Sequence, residues 1–251
     1  MLQVDVVTKG YLSEIFLSFQ GEGLHAGRRQ LFLRMSGCHL RCRYCDTPDS
    51  LERGTHYKVY GRDGRCREAA NPVSASEVLS HALAMLESDQ GVDGVAVTGG
   101  EPLLQADFLA ELLADARWPR PRLLETSGTL PGKLAAVMPV VDVVSMDIKL
   151  PSNTGEPEFW DAHARSLAIA RGKLYVKVVV DERTSIDDVK RAAGLVRLEA
   201  PDAAMFLQPI TGPSGEAEIG GARLLEFFQA ARCLVDDVRV TAQMHKILGL
   251  Q

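Results

Sequence analysis

The sequence predicts an α/β protein, built as an open, partial parallel β/α barrel of about six strands. Short apolar, β-branched runs alternate with longer segments of helical period along the 251 residues. Such alternation implies right-handed βαβ units and a parallel sheet. Six units are too few to close an eight-fold barrel, so the expected form is partial. No linker-like stretch divides the chain, so residues 1–251 read as one domain.

In chain order, the first expected strand is Leu31–Met35, stopped by the turn residue Gly37. Helix Ala75–Glu87 follows, then strand Gly94–Thr98, which runs into Gly99 and Gly100. Helix Ala106–Arg117 places Phe108, Leu109, Leu112 and Leu113 on one buried face at the 3.6-residue period. Strands Arg122–Thr126 and Asp142–Asp147 come next, then helix Pro157–Arg171 and strand Leu174–Val180. Helix Ser185–Arg197, strand Ala204–Gln208 and helix Ala222–Ala231 complete the pattern. The stretch Asp49–Pro72 is rich in Arg, Gly and Asp without a clear period, and reads as a surface excursion near the mouth of a site.

Hydrophobic residues make up 46% of the chain and charged residues 24%, enough for a sizeable core. A formal net charge of −5 speaks against broad electrostatic adhesion to nucleic acid or to an anionic membrane. No apolar run is long enough to span a bilayer, and Met1–Gly10 lacks the apolar region of a signal peptide, so the cytoplasm is the expected compartment.

Three of the five cysteines, Cys38, Cys42 and Cys45, fall within eight residues in a C-x3-C-x2-C spacing directly after the first strand. That is not a disulfide pattern for a reducing compartment. Three thiolates can ligate three irons of a 4Fe–4S cubane and leave the fourth open for chemistry. The alternative is a zinc site completed by Cys66 and His39. Cys66 and Cys233 otherwise read as non-ligands, with Cys233 expected to be buried in an apolar helical run.

Thr98-Gly99-Gly100-Glu101-Pro102 ends the second strand at the carboxyl edge of the sheet, where parallel α/β folds bind ligands. Later strands also end in polar residues: Glu125-Thr126-Ser127, Ser145 to Lys149, Lys177, and Gln208-Pro209. Each alone reads as a solvated loop; together they suggest a ring around one mouth.

The cysteine spacing and the Gly-Gly-Glu-Pro element resemble the radical S-adenosylmethionine (SAM) superfamily. In that superfamily the open iron binds the amino and carboxylate groups of SAM, and one electron cleaves it to methionine and a 5′-deoxyadenosyl radical. The resemblance implies that Tyr44 lies beside the adenine, with simple core packing as its alternative role. It implies that Gly99, Gly100 and Glu101 hold the SAM amino group. Asp46, Ser145, Met146, Asp147, Gln208, Pro209, Ile210 and Thr211 are the remaining implied cofactor contacts.

The flanks are more particular. Ser18-Phe19-Gln20-Gly21-Glu22-Gly23, Arg34 inside the first strand, Asp46-Thr47 after the last cysteine, and Gln243-Met244-His245-Lys246 near the end resemble the 7-carboxy-7-deazaguanine synthase family. The resemblance runs from Gln20 to Gln251. It implies a lyase of queuosine-type 7-deazapurine biosynthesis, in which hydrogen abstraction from C6 of 6-carboxy-5,6,7,8-tetrahydropterin starts a ring contraction. SAM is re-formed, and loss of ammonia gives 7-carboxy-7-deazaguanine. Phe19, Gln20, Gly21, Glu22, Arg34, Thr98, His245 and Gln251 are the implied substrate contacts, with a C-terminal tail closing the pocket. No side chain is assigned as a catalytic acid or base. Arg34 offers a planar fork for a carboxylate, and Glu22 can accept paired N–H donors. Thr47 is the implied Mg2+ ligand, against the alternative that Asp46-Thr47 caps a turn. A flavodoxin-like or ferredoxin-like electron donor and a homodimer are also implied. A glycyl-radical activase shares the cluster elements but would leave its pocket open for a peptide loop; a non-enzymatic Fe–S or zinc protein would fill every metal position with protein ligands.

Overall fold

The computed structural model describes residues 8–61, 63–89, 91–212 and 215–250. The chain runs β1 (Lys9–Gly10), β2 (Leu12–Phe19), β3 (Arg29–Met35), β4 (His56–Tyr60), β5 (Cys66–Ala70), β6 (Val73–Ser74) and α1 (Ala75–Glu87). It continues with β7 (Val95–Gly99), α2 (Ala106–Leu113), β8 (Arg122–Thr126), α3 (Pro131–Val137), β9 (Val143–Asp147), α4 (Pro151–Thr154), α5 (Trp160–Ala170) and β10 (Leu174–Val180). Then come α6 (Ile186–Glu199), β11 (Met205–Pro209), α7 (Gly221–Arg232), β12 (Val238–Val240) and α8 (Met244–Ile247).

The six expected strands form the parallel heart of the sheet, as β3, β7, β8, β9, β10 and β11. Among the described residues the sheet has ten strands, however, in the order β12-β11-β10-β9-β8-β7-β3-β2-β4-β5, and its edges do not meet. The four additions lie at its two ends. β12 extends it in parallel beside β11, β2 runs antiparallel to β3, and the Asp49–Pro72 excursion supplies the hairpin β4–β5. That hairpin escapes a periodicity search because β5 is nearly all exposed and has no buried face to alternate.

Helix boundaries follow local chemistry. Ser74 and Glu77 form a capping box that starts α1. The expected helix Ala106–Arg117 stops at Leu113, because the Asp115 carboxylate takes the Arg117 amide at 2.9 Å and folds that stretch into a turn. Cys233 is exposed, not buried: it stands one residue beyond α7, whose buried face is carried by Phe227 and Ala231.

The strand period of two sorts each barrel strand into layers. Residues such as Leu33, Val97 and Val178 pack outward against the helices in the main core. On the inner face, Phe32, Ala96, Leu123, Tyr175 and Phe206 join Phe16 in a second apolar cluster that floors the barrel. Two residues further along the same strands come Arg34, Thr98, Glu125, Lys177 and Gln208, all on the wall of one cavity above that floor.

Candidate active site

The cavity has a volume of about 420 Å³, within the range that holds small ligands. Cys38, Cys42 and Cys45 line it, half-buried, on the loop after β3. Backbone lacing holds that loop. The Gly37 amide donates to the Ser50 carbonyl at 2.8 Å, Cys38 to Leu51 at 3.0 Å, and Glu101 to Gly37 at 2.9 Å. The Gly-Gly turn presses against the same segment. A Cβ at Gly99 would lie 2.2 Å from the Met35 carbonyl oxygen, and one at Gly100 would lie 2.4 Å from that of Gly37. Gly99 also has φ +113, a conformation that disfavours any side chain.

Burial pushes the Cys38 thiol up and the Cys42 thiol up to about 11, so cluster assembly must displace these protons. Three thiols on the wall of one cavity suit ligands to three irons of a cubane, with the fourth iron left open.

Glu101 is fully buried and does not line the cavity. Its carboxylate accepts from the Leu103 amide at 3.0 Å, the Thr126 hydroxyl at 2.8 Å, and the Ser127 amide at 2.8 Å. It therefore fastens the Gly-Gly turn to the end of β8. Below it, buried His163 meets the Ser127 carbonyl at 3.1 Å, and burial holds its pKa down to about 4.

Tyr44, Asp147 and Lys149 form one wall. Lys149 pairs with Asp147 at 2.8 Å and lies 5.2 Å from the Tyr44 ring centroid. Burial opposes the charge on Lys149, yet Asp147 holds it protonated. Asp147 Oδ1 and Gln208 Oε1 are buried without a partner, in residues that line the cavity. Orphaned polar atoms of this kind call for a polar ligand. With three convergent thiols and a Gly-Gly cradle, the residues present fit an Fe–S cluster and a nucleoside-bearing cofactor.

The loop after β2 supplies the other wall. Glu22 is held by Lys177, by Gln208 Nε2 at 2.9 Å and by Gln243 Nε2 at 2.8 Å. Burial opposes its ionisation, but Lys177, with His245 and Gln243, brings its pKa down to about 2. Burial likewise opposes the charge on Lys177, while Glu22 and Glu125 hold it protonated well above its usual range. Glu125 accepts from Gln20 Nε2 at 2.8 Å and from the Thr98 hydroxyl at 2.9 Å. Gly21 has no Cβ because the His245 ring needs the space: an added Cβ would meet Nδ1 at 2.0 Å. Arg34 Nε is tied to Glu14 at 3.1 Å and its guanidinium lies 5.1 Å from the Phe16 ring centroid. Thr47 lines the cavity, and its side chain makes no cap hydrogen bond although Pro48 opens a short helical turn beside it.

Most residues expected at the site do line this cavity, including Phe19, Asp46, Ile210 and His245; Glu101, Met146, Pro209 and Thr211 do not. Gln251 lies outside the described residues, but its neighbour Leu250 reaches the cavity wall. The sequence marks Glu125, Lys149 and Lys177 only as polar strand ends in a ring around the mouth, marks Gln243 only as part of the C-terminal motif, and does not mark Glu14. The first four line the cavity, and Glu14 braces Arg34. For Glu125 and Lys177 a signal existed: each follows an inward apolar residue by two on its strand.

A cluster loop after the first parallel strand, a Gly-Gly brace beside it and a ring of polar strand ends above an apolar floor define a radical SAM barrel. Residues 32–197 match the family model described as "Radical SAM superfamily". The chain is 36% identical over 243 residues to the 7-carboxy-7-deazaguanine synthase of Geobacter sulfurreducens, covering 95% of this chain and 96% of the relative. It is 34% identical over 266 residues to the synthase of Methanothermobacter thermautotrophicus, covering 98% and 100%. The chain belongs to the radical SAM superfamily and, within it, to the 7-carboxy-7-deazaguanine synthase family. The fold is similar to that in the crystal structure of QueE from Escherichia coli, with a TM-score of 0.59, 21% identity, and coverage of 94% of this chain and 95% of that one. A radical SAM methyltransferase from Sphaerobacter thermophilus also shares it, with a TM-score of 0.56, 14% identity, and coverage of 92% and 77%. Among the described residues no helix is long and apolar enough to cross a membrane.

Proposed function

We propose that this chain performs the reaction its relatives are named for: ring contraction of 6-carboxy-5,6,7,8-tetrahydropterin to 7-carboxy-7-deazaguanine, with loss of ammonia. The observation that carries this reading is Glu22, an anion held by three protein donors on the wall of the cysteine-lined cavity. A carboxylate so fixed accepts N–H donors of a guanidine-like pterin edge without rearranging. The Arg34 fork, oriented by Glu14 and Phe16, takes the substrate carboxylate. Gln20 and Thr98, both anchored on Glu125, supply neutral hydrogen bonds.

When bound on Cys38, Cys42 and Cys45, a 4Fe–4S cluster with SAM supplies a carbon-centred radical. The chain's part is to place the substrate and to exclude water and side reactions. Leu250 on the cavity wall fits a C-terminal segment that closes the mouth, which an activase handling a peptide loop would leave open. Asp147 offers its orphaned oxygen to the cofactor. Thr47 offers an uncommitted hydroxyl to Mg2+, which keeps waters and takes substrate oxygens as further ligands. The reading extends to a homodimer in the cytoplasm, served by a flavodoxin-like or ferredoxin-like electron donor.

Anaerobic kinetics of Glu22→Gln test it. The carboxamide keeps the shape and loses the charge, so KM for the tetrahydropterin should rise about tenfold or more, the factor for a lost charge-assisted hydrogen bond. An unchanged KM would remove Glu22 from the substrate's contacts and the reading with it.

A further inference from the structure

We propose that Gln243 is a positioning residue: it ties the carboxylate of Glu22 to the loop that carries the cysteines, so that docking of the C-terminal segment sets the geometry in which substrate is read. This rests on the proposed function only for what Glu22 recognises; the bridge itself is a structural feature.

Gln243 is buried just ahead of α8. Its Nε2 donates to Glu22 Oε1 at 2.8 Å and to Asp46 Oδ2 at 2.9 Å. Asp46 directly follows Cys45, the last of the three cysteines. One amide group thus joins the loop after β2 to the cluster loop, across 221 and 197 residues of sequence. Its other end is fixed at the close of β11. Oε1 accepts from the Thr211 amide, and the Gln243 amide donates to the Thr211 hydroxyl, both at 3.4 Å. The following residue continues the attachment, since the Met244 amide donates to the Gly21 carbonyl at 2.9 Å.

The residue type follows from the charges. Ligand atoms of Glu22, Asp46 and His245 lie within 4.8 Å of one another, so two carboxylates converge on this point. Lys177 answers Glu22, and Lys246 stands 3.6 Å from Asp46. Between them a primary amide is suited: two N–H donors, one for each carboxylate, and no added charge. A carboxylate there would bring a third negative group to the pair, and an apolar side chain of equal length would leave both acceptors short of a donor. His245 reaches its place over Gly21 from the same short helix, so the bridge also determines where that imidazole stands.

Gln243→Met in the full chain tests the inference, with two readouts. Hydrogen exchange at the Met244 amide and across residues 20–23 needs no turnover; it should quicken about tenfold or more as the segment loosens. In anaerobic kinetics, KM for the tetrahydropterin should rise about tenfold, as for a lost bond to a charged partner, with iron content and kcat near those of the native protein and a melting temperature lower by several degrees. In an Asp46→Asn background the same change should act more weakly, because half of the bridge is already altered. Should Gln243→Met fail to fold, Gln243→Asn, one methylene shorter and able to reach only one carboxylate, is read in its place and should give a smaller shift of the same sign. Native exchange and native KM in a folded variant would overturn the proposal, as would strict additivity with Asp46→Asn. If the native protein leaves the pterin untouched, the functional reading fails while the exchange measurement still decides the bridge.

Discussion

Replacing Gly100 with alanine bears on the part of the site that depends most on close packing. The added Cβ would sit 2.4 Å from the Gly37 carbonyl oxygen and 2.7 Å from that of Ser50. Carbon–oxygen contacts are ordinarily about 3.3 Å or longer, so the overlaps are roughly 0.9 and 0.6 Å. Both obstacles are backbone, and both are committed: Gly37 O accepts from Glu101, and Ser50 O accepts from Gly37. Relief therefore requires the segment from Gly37 to Ser50 to move, and that segment carries all three cysteines. Overpacking of this kind costs about 1–3 kcal/mol, a loss of roughly 2–12 °C in Tm for a chain of this length. The control is Gly132→Ala in α3, where an added Cβ meets nothing within 4 Å; it should be neutral or stabilise by up to about 1 kcal/mol. Thermal melts of the metal-free variants measure the first effect. Iron and sulfide per chain after anaerobic reconstitution measure the displaced loop, and Gly100→Ala should fall well below the control. If it melts with the native protein and takes up native iron, the brace between the two loops is not what holds the cysteines.

Four further outcomes follow from the same geometry. Cys38→Ala, Cys42→Ala and Cys45→Ala should each lose the cluster's visible absorbance and SAM cleavage, while Cys66→Ala and Cys233→Ala, both exposed, keep them; iron loss in Cys66→Ala equal to that in Cys42→Ala would break the ligand assignment. His163 is buried with a pKa of about 4 against an ordinary 6.5, so the folded state resists a proton that the unfolded chain accepts. Its contribution is fully present above pH 6.5 and lost as pH falls toward 4, about 3 kcal/mol in all; urea melts of His163→Gln should show a shallower acid loss, and an unchanged slope would refute the assignment. Thr47→Ala should weaken the Mg2+ dependence of turnover by about one to two powers of ten, whereas an unchanged Mg2+ curve would leave the hydroxyl with no such role. A two-residue extension beyond Gln251 should raise KM strongly or abolish turnover while cluster assembly survives, and native turnover in that variant would remove the tail from the pocket.

The parts of this architecture legible in the sequence are those encoded locally. The six parallel strands are continuous apolar runs because both their faces are covered, by helices outside and by the floor cluster within. The cysteines and the Gly-Gly turn are likewise local, since their spacing carries their meaning. What the sequence conceals is set by pairing at a distance. β5 is an edge strand with little buried surface, β4 is placed only by pairing with β2 and β5, and β12 has three residues. Lys177 reads in the sequence only as one polar residue of a valine-rich strand; its partner Glu22, 155 residues away, is visible only in the fold. Glu101 illustrates the opposite case. Its motif was recognised, but its carboxylate spends its hydrogen-bonding capacity on β8 and the adjoining turn rather than on the cavity. Cys233 was misplaced for a plain reason: helical period continued past Arg232, where the helix itself had ended.

The most direct measurement is the anaerobic product balance of the reconstituted full chain given SAM, Mg2+, a low-potential reductant and 6-carboxy-5,6,7,8-tetrahydropterin. The account predicts 7-carboxy-7-deazaguanine and ammonia in equal amounts, over many turnovers per SAM consumed. SAM cleaved to 5′-deoxyadenosine while the pterin remains intact would contradict it.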